Sequence, residues 1–204
     1  MKMNWVEKFL MNNPIRAAFH VHVEAPLLER LGGRTEGLRV LEVGCGRGVG
    51  TEQIFRRFGA ASVFAMDIDE DMVARARTRL QGFPPDRLRI EVGDVTAIDA
   101  EDASFDAVFD FAIIHHVPDW QAAVAEIRRV LKPGGRFYFE EVTRHALDKW
   151  SYRFFMEHPT ENRFTTAEFI REVERQGMIV GSDYTERGGG DFVFGVGRVV
   201  PAAG

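Results

Sequence analysis

Glu42-Val43-Gly44-Cys45-Gly46-Arg47-Gly48 is the stretch that decides the fold. It is entered from an apolar run, residues 38–43. It is left through Thr51, Ile54, Phe55 and Phe58, which recur at helical spacing and stop at Gly59. A strand, a glycine-rich turn and a helix in that order put free backbone N–H groups beside a ligand, with no Cβ in the way. Glycines also end strands for steric reasons alone, so the spacing has to discriminate. A hydride-transfer dinucleotide fingerprint needs G-x-G-x-x-G. Counted from Gly44 the third glycine falls on Val49, and counted from Gly46 it falls on Thr51. No Gly-Lys-[Ser/Thr] follows, which excludes a Walker phosphate loop. The pattern present is [D/E]-x-G-x-G-x-G, filled by Glu42, Gly44, Gly46 and Gly48.

Two acids close the next two strands. Asp67 follows residues 62–66, 23 residues after Gly44, and Asp94 follows residues 88–92. A carboxylate in the first position accepts charge-assisted hydrogen bonds from both hydroxyls of a ribose and repels a 2′-phosphate. One in the second accepts from an adenine amino group, with the Val95 N–H beside it. Alone, each is equally a helix cap or a turn residue. The order of loop, Asp67 and Asp94 favours the ligand role.

Further out, strand and helix keep alternating. Met72, Ala76 and Leu80 stripe one helix, and residues 105–109 form a fourth strand. Trp120, Ala123, Val124, Ile127, Val130 and Leu131 stripe a helix closed by Pro133-Gly134-Gly135, before a fifth strand at 136–142. This alternation predicts an α/β fold, a parallel sheet with helices on both faces. Upstream, Trp5, Val6, Phe9 and Leu10 share a helical face. A second helix runs from Pro14 toward Leu31 and stops at Gly32-Gly33, so residues 1–34 are expected to be a helical cover. Residues 143–163, with Trp150, Tyr152, Phe154 and Phe155, read as an inserted lid, whose rings suit packing, a substrate roof or a homodimer surface. Thr165 and Glu168 form a capping box for a helix ending at Gly177. Residues 179–184 and 191–199 read as a hairpin around Gly188-Gly189-Gly190. Residues 1–204 are read as one domain.

A net charge of −5 and a pI near 5.7 disfavour a broad phosphate-binding face, so no nucleic-acid partner is expected. Apolar and charged fractions of 45% and 28% are those of an ordinary globular chain. One cysteine, Cys45, cannot form an internal disulfide and fits a reducing cytoplasm. No signal peptide and no run of about 18–20 apolar residues is seen, so neither secretion nor a membrane span is expected.

The loop, Asp67, Asp94, Ser104-Phe105-Asp106-Ala107-Val108, Ile114-His115-His116-Val117 and Leu131-Lys132-Pro133-Gly134-Gly135 together resemble class I S-adenosylmethionine-dependent methyltransferases. Within these they are most similar to the small-molecule group that includes quinone-biosynthesis C-methyltransferases. The resemblance covers residues 35–142 in motif order, and Arg163-Phe164-Thr165-Thr166 and the last hairpin extend it. It implies a Rossmann-like, mostly parallel seven-stranded sheet of order 3-2-1-4-5-7-6. It also implies S-adenosyl-L-methionine as cofactor and methyl transfer to oxygen or carbon of a small molecule. Carried over residue by residue, Gly44 and Gly46 border the methionine part and Asp67 the ribose, and Glu42 and Ile68 are also expected to bind the cofactor. Asp94 and Val95 meet the adenine, and Phe111 gives a backbone contact to the methionine amino group. The same fold serves nucleic-acid methyltransferases. Against that alternative stand the acidic charge and Asp110-Phe111-Ala112-Ile113 in place of [Asn/Asp]-Pro-Pro-[Tyr/Phe]. A cofactor-binding sensor without turnover is the other alternative.

Methyl transfer asks the protein mainly to position an acceptor, with a base where the acceptor is a weak acid. His115 and His116 are the candidates for that base. Neighbouring side chains point apart, so at most one of them faces the cofactor. His20 and His22 are expected to be structural, and Cys45 a small packed residue rather than a nucleophile. Glu140 and Glu141 read as a solvated strand end, and no metal site is expected.

Overall fold

The computed structural model describes residues 14–149 and 161–201. The opening face of Trp5, Val6, Phe9 and Leu10, and the rings at Trp150, Tyr152, Phe154 and Phe155, lie outside these residues. The described chain opens on helix α1 (Pro14–Phe19), a π-helical turn (His20–Glu24) and α2 (Ala25–Gly32). Then come β1 (Arg39–Val43), α3 (Val49–Arg56), β2 (Ser62–Asp67), α4 (Glu70–Arg79), β3 (Leu88–Val92) and β4 (Phe105–Phe111). A 3-10 turn (Ile114–His116) leads into α5 (Trp120–Val130), β5 (Leu131–Val142) and α6 (Arg144–Leu147). The last elements are α7 (Thr166–Arg175), β6 (Met178–Ile179), β7 (Tyr184–Arg187) and β8 (Phe192–Val199).

The strands form one sheet ordered β3-β2-β1-β4-β5-β8-β6, with β7 also paired to β8. Strands β1 to β5 pair in parallel, and β8 runs antiparallel to β5, β6 and β7. The expected order therefore holds, with one strand added. The run at 179–184 was expected to be a single strand. It breaks at Gly181, whose φ of +55° leaves the extended region, so two short strands share the edge of β8. A second correction concerns Pro133-Gly134-Gly135. The helix ends at Val130, and these residues lie inside β5, where the register against β4 shifts between Phe105↔Leu131 and Ala107↔Arg136.

Alternating side chains of β1 go to opposite layers. Val40 packs with Ala25, Leu28, Ile54, Phe58 and Ala76 on one face. Leu41 and Val43 pack with Trp120, Ile127 and Phe169 on the other. Both faces are covered, which is why the central strands read as nearly continuous apolar runs. Asp69 caps α4, Asp119 caps α5, and Thr165 with Glu168 completes the capping box of α7. The described part of residues 143–163 includes α6, whose Ala146 and Leu147 are buried beside Ala112 and Val142. Among the described residues no helix is long and apolar enough to cross a membrane. Parallel pairing brings the carboxyl ends of β1, β2, β3 and β4 to one edge, where open α/β sheets bind their ligands.

Candidate active site

That edge holds a cavity of about 400 Å³. Glu42, Gly44, Gly46, Asp67, Ile68, Asp94, Val95, Phe111 and His116 line it, together with Arg16, Ala17 and His20 from the N-terminal helix. His115 is not among the lining residues. Gly44 has a φ of +68°, and a Cβ there would stand 2.4 Å from Cγ2 of Ile113. The β1 end and the loop after β4 touch at this glycine. At Gly46 a Cβ would meet no atom within 4 Å, so the loop leaves that space for a ligand.

Asp67 is oriented by the chain itself. The Gly46 N–H donates to its Oδ2 at 2.8 Å and the Asp69 N–H to its Oδ1 at 2.9 Å. Asp94 accepts at Oδ1 from the N–H and hydroxyl of Thr96, at 2.8 and 2.7 Å, which holds its carboxylate at the rim. Ile68 exposes 42% of its surface there, an apolar platform of the kind a base ring covers.

The floor holds a buried acid and a buried thiol, Glu42 and Cys45. Glu42 is buried and accepts a hydrogen bond from the Thr51 hydroxyl. Burial pushes its carboxyl up to about 8, against the pull of Thr51 and with a smaller push from Asp67. Cys45 is buried too; burial, then the charges of Glu42 and Asp67, raise its thiol far above the usual range. It is no nucleophile.

Glu140 and Glu141, expected to be solvated, are 1% and 0% exposed. They face opposite ways from β5 and meet different partners. Glu141 takes the Ile114 N–H at 2.6 Å, the His115 N–H at 3.1 Å and His115 Nδ1 at 2.6 Å. Burial pushes Glu141 up to about 7, opposed by Asp110 and these N–H donors. Asp110 is raised well above the carboxylate range, first by burial and then by Glu141's charge. His115 thereby belongs to the packed support of the loop after β4. Its ring lies 4.2 Å, centroid to centroid, from that of His116 and is tilted 38° to it; His116 lines the cavity.

Glu140 faces the N-terminal helix. Arg16 bridges Glu24 and Glu140, the latter at 3.2 Å, and Glu24 accepts from His20 Nδ1 at 3.1 Å. Burial and the Glu24 charge raise Glu140 well above its ordinary value, with Arg16 opposing. Burial pushes Glu24 up as well, yet the His20 hydrogen bond and the Arg16 charge outweigh it and hold this carboxyl below the usual range. Donor atoms of His20, Glu24 and Glu140 lie within 4.8 Å of one another, close enough for a metal ion, but Arg16 supplies the positive charge there. Sequence reasoning placed His20 in a structural helix. The signal it missed was the four-residue spacing of His20 and Glu24 just before Pro26.

In fold the chain is an α/β protein of the class I methyltransferase type. Residues 41–139 match the model of the methyltransferase domain family. A probable S-adenosylmethionine-dependent methyltransferase of Mycolicibacterium smegmatis is 40% identical over 109 residues, 53% of this chain and 40% of the relative. A fatty-acid O-methyltransferase of the same organism is 34% identical over 118 residues, 56% of this chain and 41% of the relative. The chain thus spans less than half the length of these curated relatives. In fold it is similar to an S-adenosylmethionine-dependent methyltransferase from Aquifex aeolicus, with a TM-score of 0.73 at 22% identity over 97% of this chain and 98% of that one. The family's cofactor is S-adenosylmethionine.

Proposed function

We propose that this protein binds S-adenosylmethionine at the carboxyl edge of β1–β4 and transfers its methyl group to a small-molecule acceptor. One observation carries the reading: a single cavity gathers the open glycine loop, the pre-oriented Asp67 and the buried Glu42. The residues fit the cofactor chemically. Asp67 takes the ribose hydroxyls. Ile68, Asp94 and the Val95 N–H take the adenine, and Gly44, Gly46 and the Phe111 backbone border the methionine part. A buried acid held near neutrality is costly to ionise alone and cheap to ionise beside a cation. Glu42 is such a group, and the methionine ammonium is such a cation. The cofactor, when bound, supplies a methyl group on a positively charged sulfur that leaves as a neutral thioether.

The chain's own part is positioning, which supplies roughly 7–11 kcal/mol where reacting atoms are held in line. Phe111, Ile113, Val117 and Pro118 give the acceptor side an apolar wall. Of the two candidate histidines His116 is placed on the cavity, while His115 braces the loop. The fatty-acid O-methyltransferase likeness, and a 36% identical match over 111 residues to a ubiquinone biosynthesis O-methyltransferase of Hahella chejuensis, support apolar acceptors. Incubation with S-adenosylmethionine and a panel of quinols, phenols, fatty acids and sterols tests this. Appearance of the demethylated cofactor together with a methylated acceptor is expected. Binding of the cofactor without turnover of any small molecule would leave a sensor and refute the enzyme.

A further inference from the structure

A second cavity, of about 330 Å³, opens among α3, the end of α4 and the segment before β3. Glu52, Phe55 and Arg56 of α3, Arg79 of α4, and Phe83 and Arg87 line it, and none of them lines the first cavity. The opening turn of α4 borders the first cavity through Asp69 and Met72. Arg79 stands at the other end of that helix, roughly 14 Å away at 1.5 Å per residue. The second cavity falls within the size range of small-molecule sites. Its three guanidinium groups face one carboxylate, a local excess of positive charge in a chain of net charge −5.

Each of these arginines is anchored along one edge. The Phe55 and Phe83 rings stack, with centroids 4.7 Å apart and planes at 23°. Arg87 Cζ lies 5.5 Å from the Phe55 centroid and Arg56 Cζ 5.8 Å from that of Phe83, both within reach of a cation–π contact. Arg87 also donates from Nε to the Ala61 carbonyl at 2.6 Å and from Nη2 to the Ala60 carbonyl at 3.0 Å. One oxygen of Glu52 takes Arg79 Nε at 3.1 Å and Nη2 at 2.8 Å; the other pairs with Arg56 Nε at 2.9 Å. Left over are Nη1 of Arg79, Nη1 of Arg87 and both terminal nitrogens of Arg56, which hydrogen-bond to no described residue. A guanidinium presents five N–H groups in a rigid fork, so anchoring one edge aims the other in advance. Arg75, four residues before Arg79 on the same face of α4, adds charge and pairs with no carboxylate among the described residues. Arg47 is held below its ordinary value first by burial and then by the charges of Arg79 and Arg75.

We propose that the second cavity binds the phosphate group of a small soluble molecule, a monoester or a diphosphate, on the outer edges of Arg56, Arg79 and Arg87. Three arginines and one glutamate leave the lining two positive charges in excess, which a phosphate dianion cancels. A tetrahedral phosphate offers an oxygen to each of three forks, whereas a carboxylate has two oxygens in one plane. Glu52 does not compete for this role, because it holds Arg56 and Arg79 by the Nε edge and leaves their other N–H groups outward. The length of α4 separates the site from the first cavity, so its ligand is neither the methyl donor nor the acceptor, and both cavities fill together.

The test titrates the full chain with inorganic phosphate, diphosphate and chloride at matched ionic strength, read by phosphorus NMR and calorimetry. Saturable binding of phosphate and tighter binding of diphosphate are expected, with a Kd of about 1 mM or below for diphosphate and no saturation by chloride. Arg56→Gln and Arg79→Gln each weaken diphosphate at least about tenfold. Arg79→Lys keeps the charge without the fork and weakens it at least about fivefold. The Arg56 and Arg79 side chains are 68% and 39% exposed, and urea midpoints near that of wild type are expected for all three variants. Saturating S-adenosylhomocysteine leaves the diphosphate affinity within about twofold, as does Asp67→Ala. No saturable phosphate or diphosphate binding below about 10 mM overturns the site. Full retention in Arg79→Lys reduces it to diffuse charge and overturns it as well. Competition by S-adenosylhomocysteine, or loss in Asp67→Ala, places the anion in the first cavity and overturns the assignment. Sedimentation with phosphatidylglycerol vesicles that Arg79→Gln abolishes, in a protein that binds no free diphosphate, assigns the arginines to a lipid surface and overturns the soluble ligand.

Discussion

Glu42→Gln isolates the cost of keeping an acid in the floor of the cavity. Its carboxyl is raised from an ordinary 4.5 to about 8, first by burial. Below pH 4.5 the folded and unfolded chains are both protonated at this position, and the stability it contributes is fully present. Between 4.5 and 8 the unfolded chain ionises and the folded one does not, so stability falls as pH rises and levels off above 8. Each pH unit in that window costs about 1.4 kcal/mol, so about 3 kcal/mol is lost by pH 7. Glutamine cannot ionise, and its carbonyl still accepts from the Thr51 hydroxyl. Urea unfolding of both proteins at several pH values from 5 to 8, without cofactor, gives the difference directly. Asp110, Glu140 and Glu141 are raised in the same direction, contribute equally to both chains, and cancel. The variant is expected to match wild type near pH 5 and to exceed it by roughly 3 kcal/mol at pH 7. A difference that does not change with pH, or a variant less stable throughout, would refute the account of Glu42.

Three further outcomes follow from the same geometry. Binding of S-adenosylmethionine at pH 7 should release close to one proton as Glu42 ionises beside the ligand's charge; calorimetry in buffers of different ionisation enthalpy measures it, and no buffer dependence counts against it. Gly44→Ala forces a side chain into a φ of +68° and against Ile113, so unfolding free energy should fall by at least about 1–2 kcal/mol. Tyr138 donates its hydroxyl to the Gly32 and Gly33 carbonyls at 2.9 and 3.0 Å, tying the end of α2 to β5. Tyr138→Phe should therefore lose about 1 kcal/mol, seen as a lower melting temperature.

Much of this was legible in the sequence because it rests on local signals. Glycine spacing after an apolar strand, and acids at the ends of the next two strands, bring Gly44, Gly46, Asp67 and Asp94 to one edge once the strands pair in parallel. The capping box at Thr165 is equally local and forms as read. What was not legible depends on contacts distant in sequence. Glu140 and Glu141 follow an apolar strand and look like its wet end, yet β8 covers one side of them and the N-terminal helix and the loop after β4 supply their partners. Which of His115 and His116 reaches the cavity is set by Glu141, 26 residues from His115. The network around His20 closes only when Arg16, Glu24 and Glu140, the last 124 residues from Arg16, are brought together. The split of the run at 179–184 hangs on Gly181, whose backbone conformation alternation alone does not encode.

Calorimetric titration with S-adenosylmethionine and S-adenosylhomocysteine tests the central claim most directly. One site of micromolar affinity is expected, weakened at least about tenfold in Asp67→Ala, which removes the charged acceptor oriented by the Gly46 and Asp69 amides. No binding of either compound at millimolar concentration, or an affinity untouched by Asp67→Ala, would contradict it.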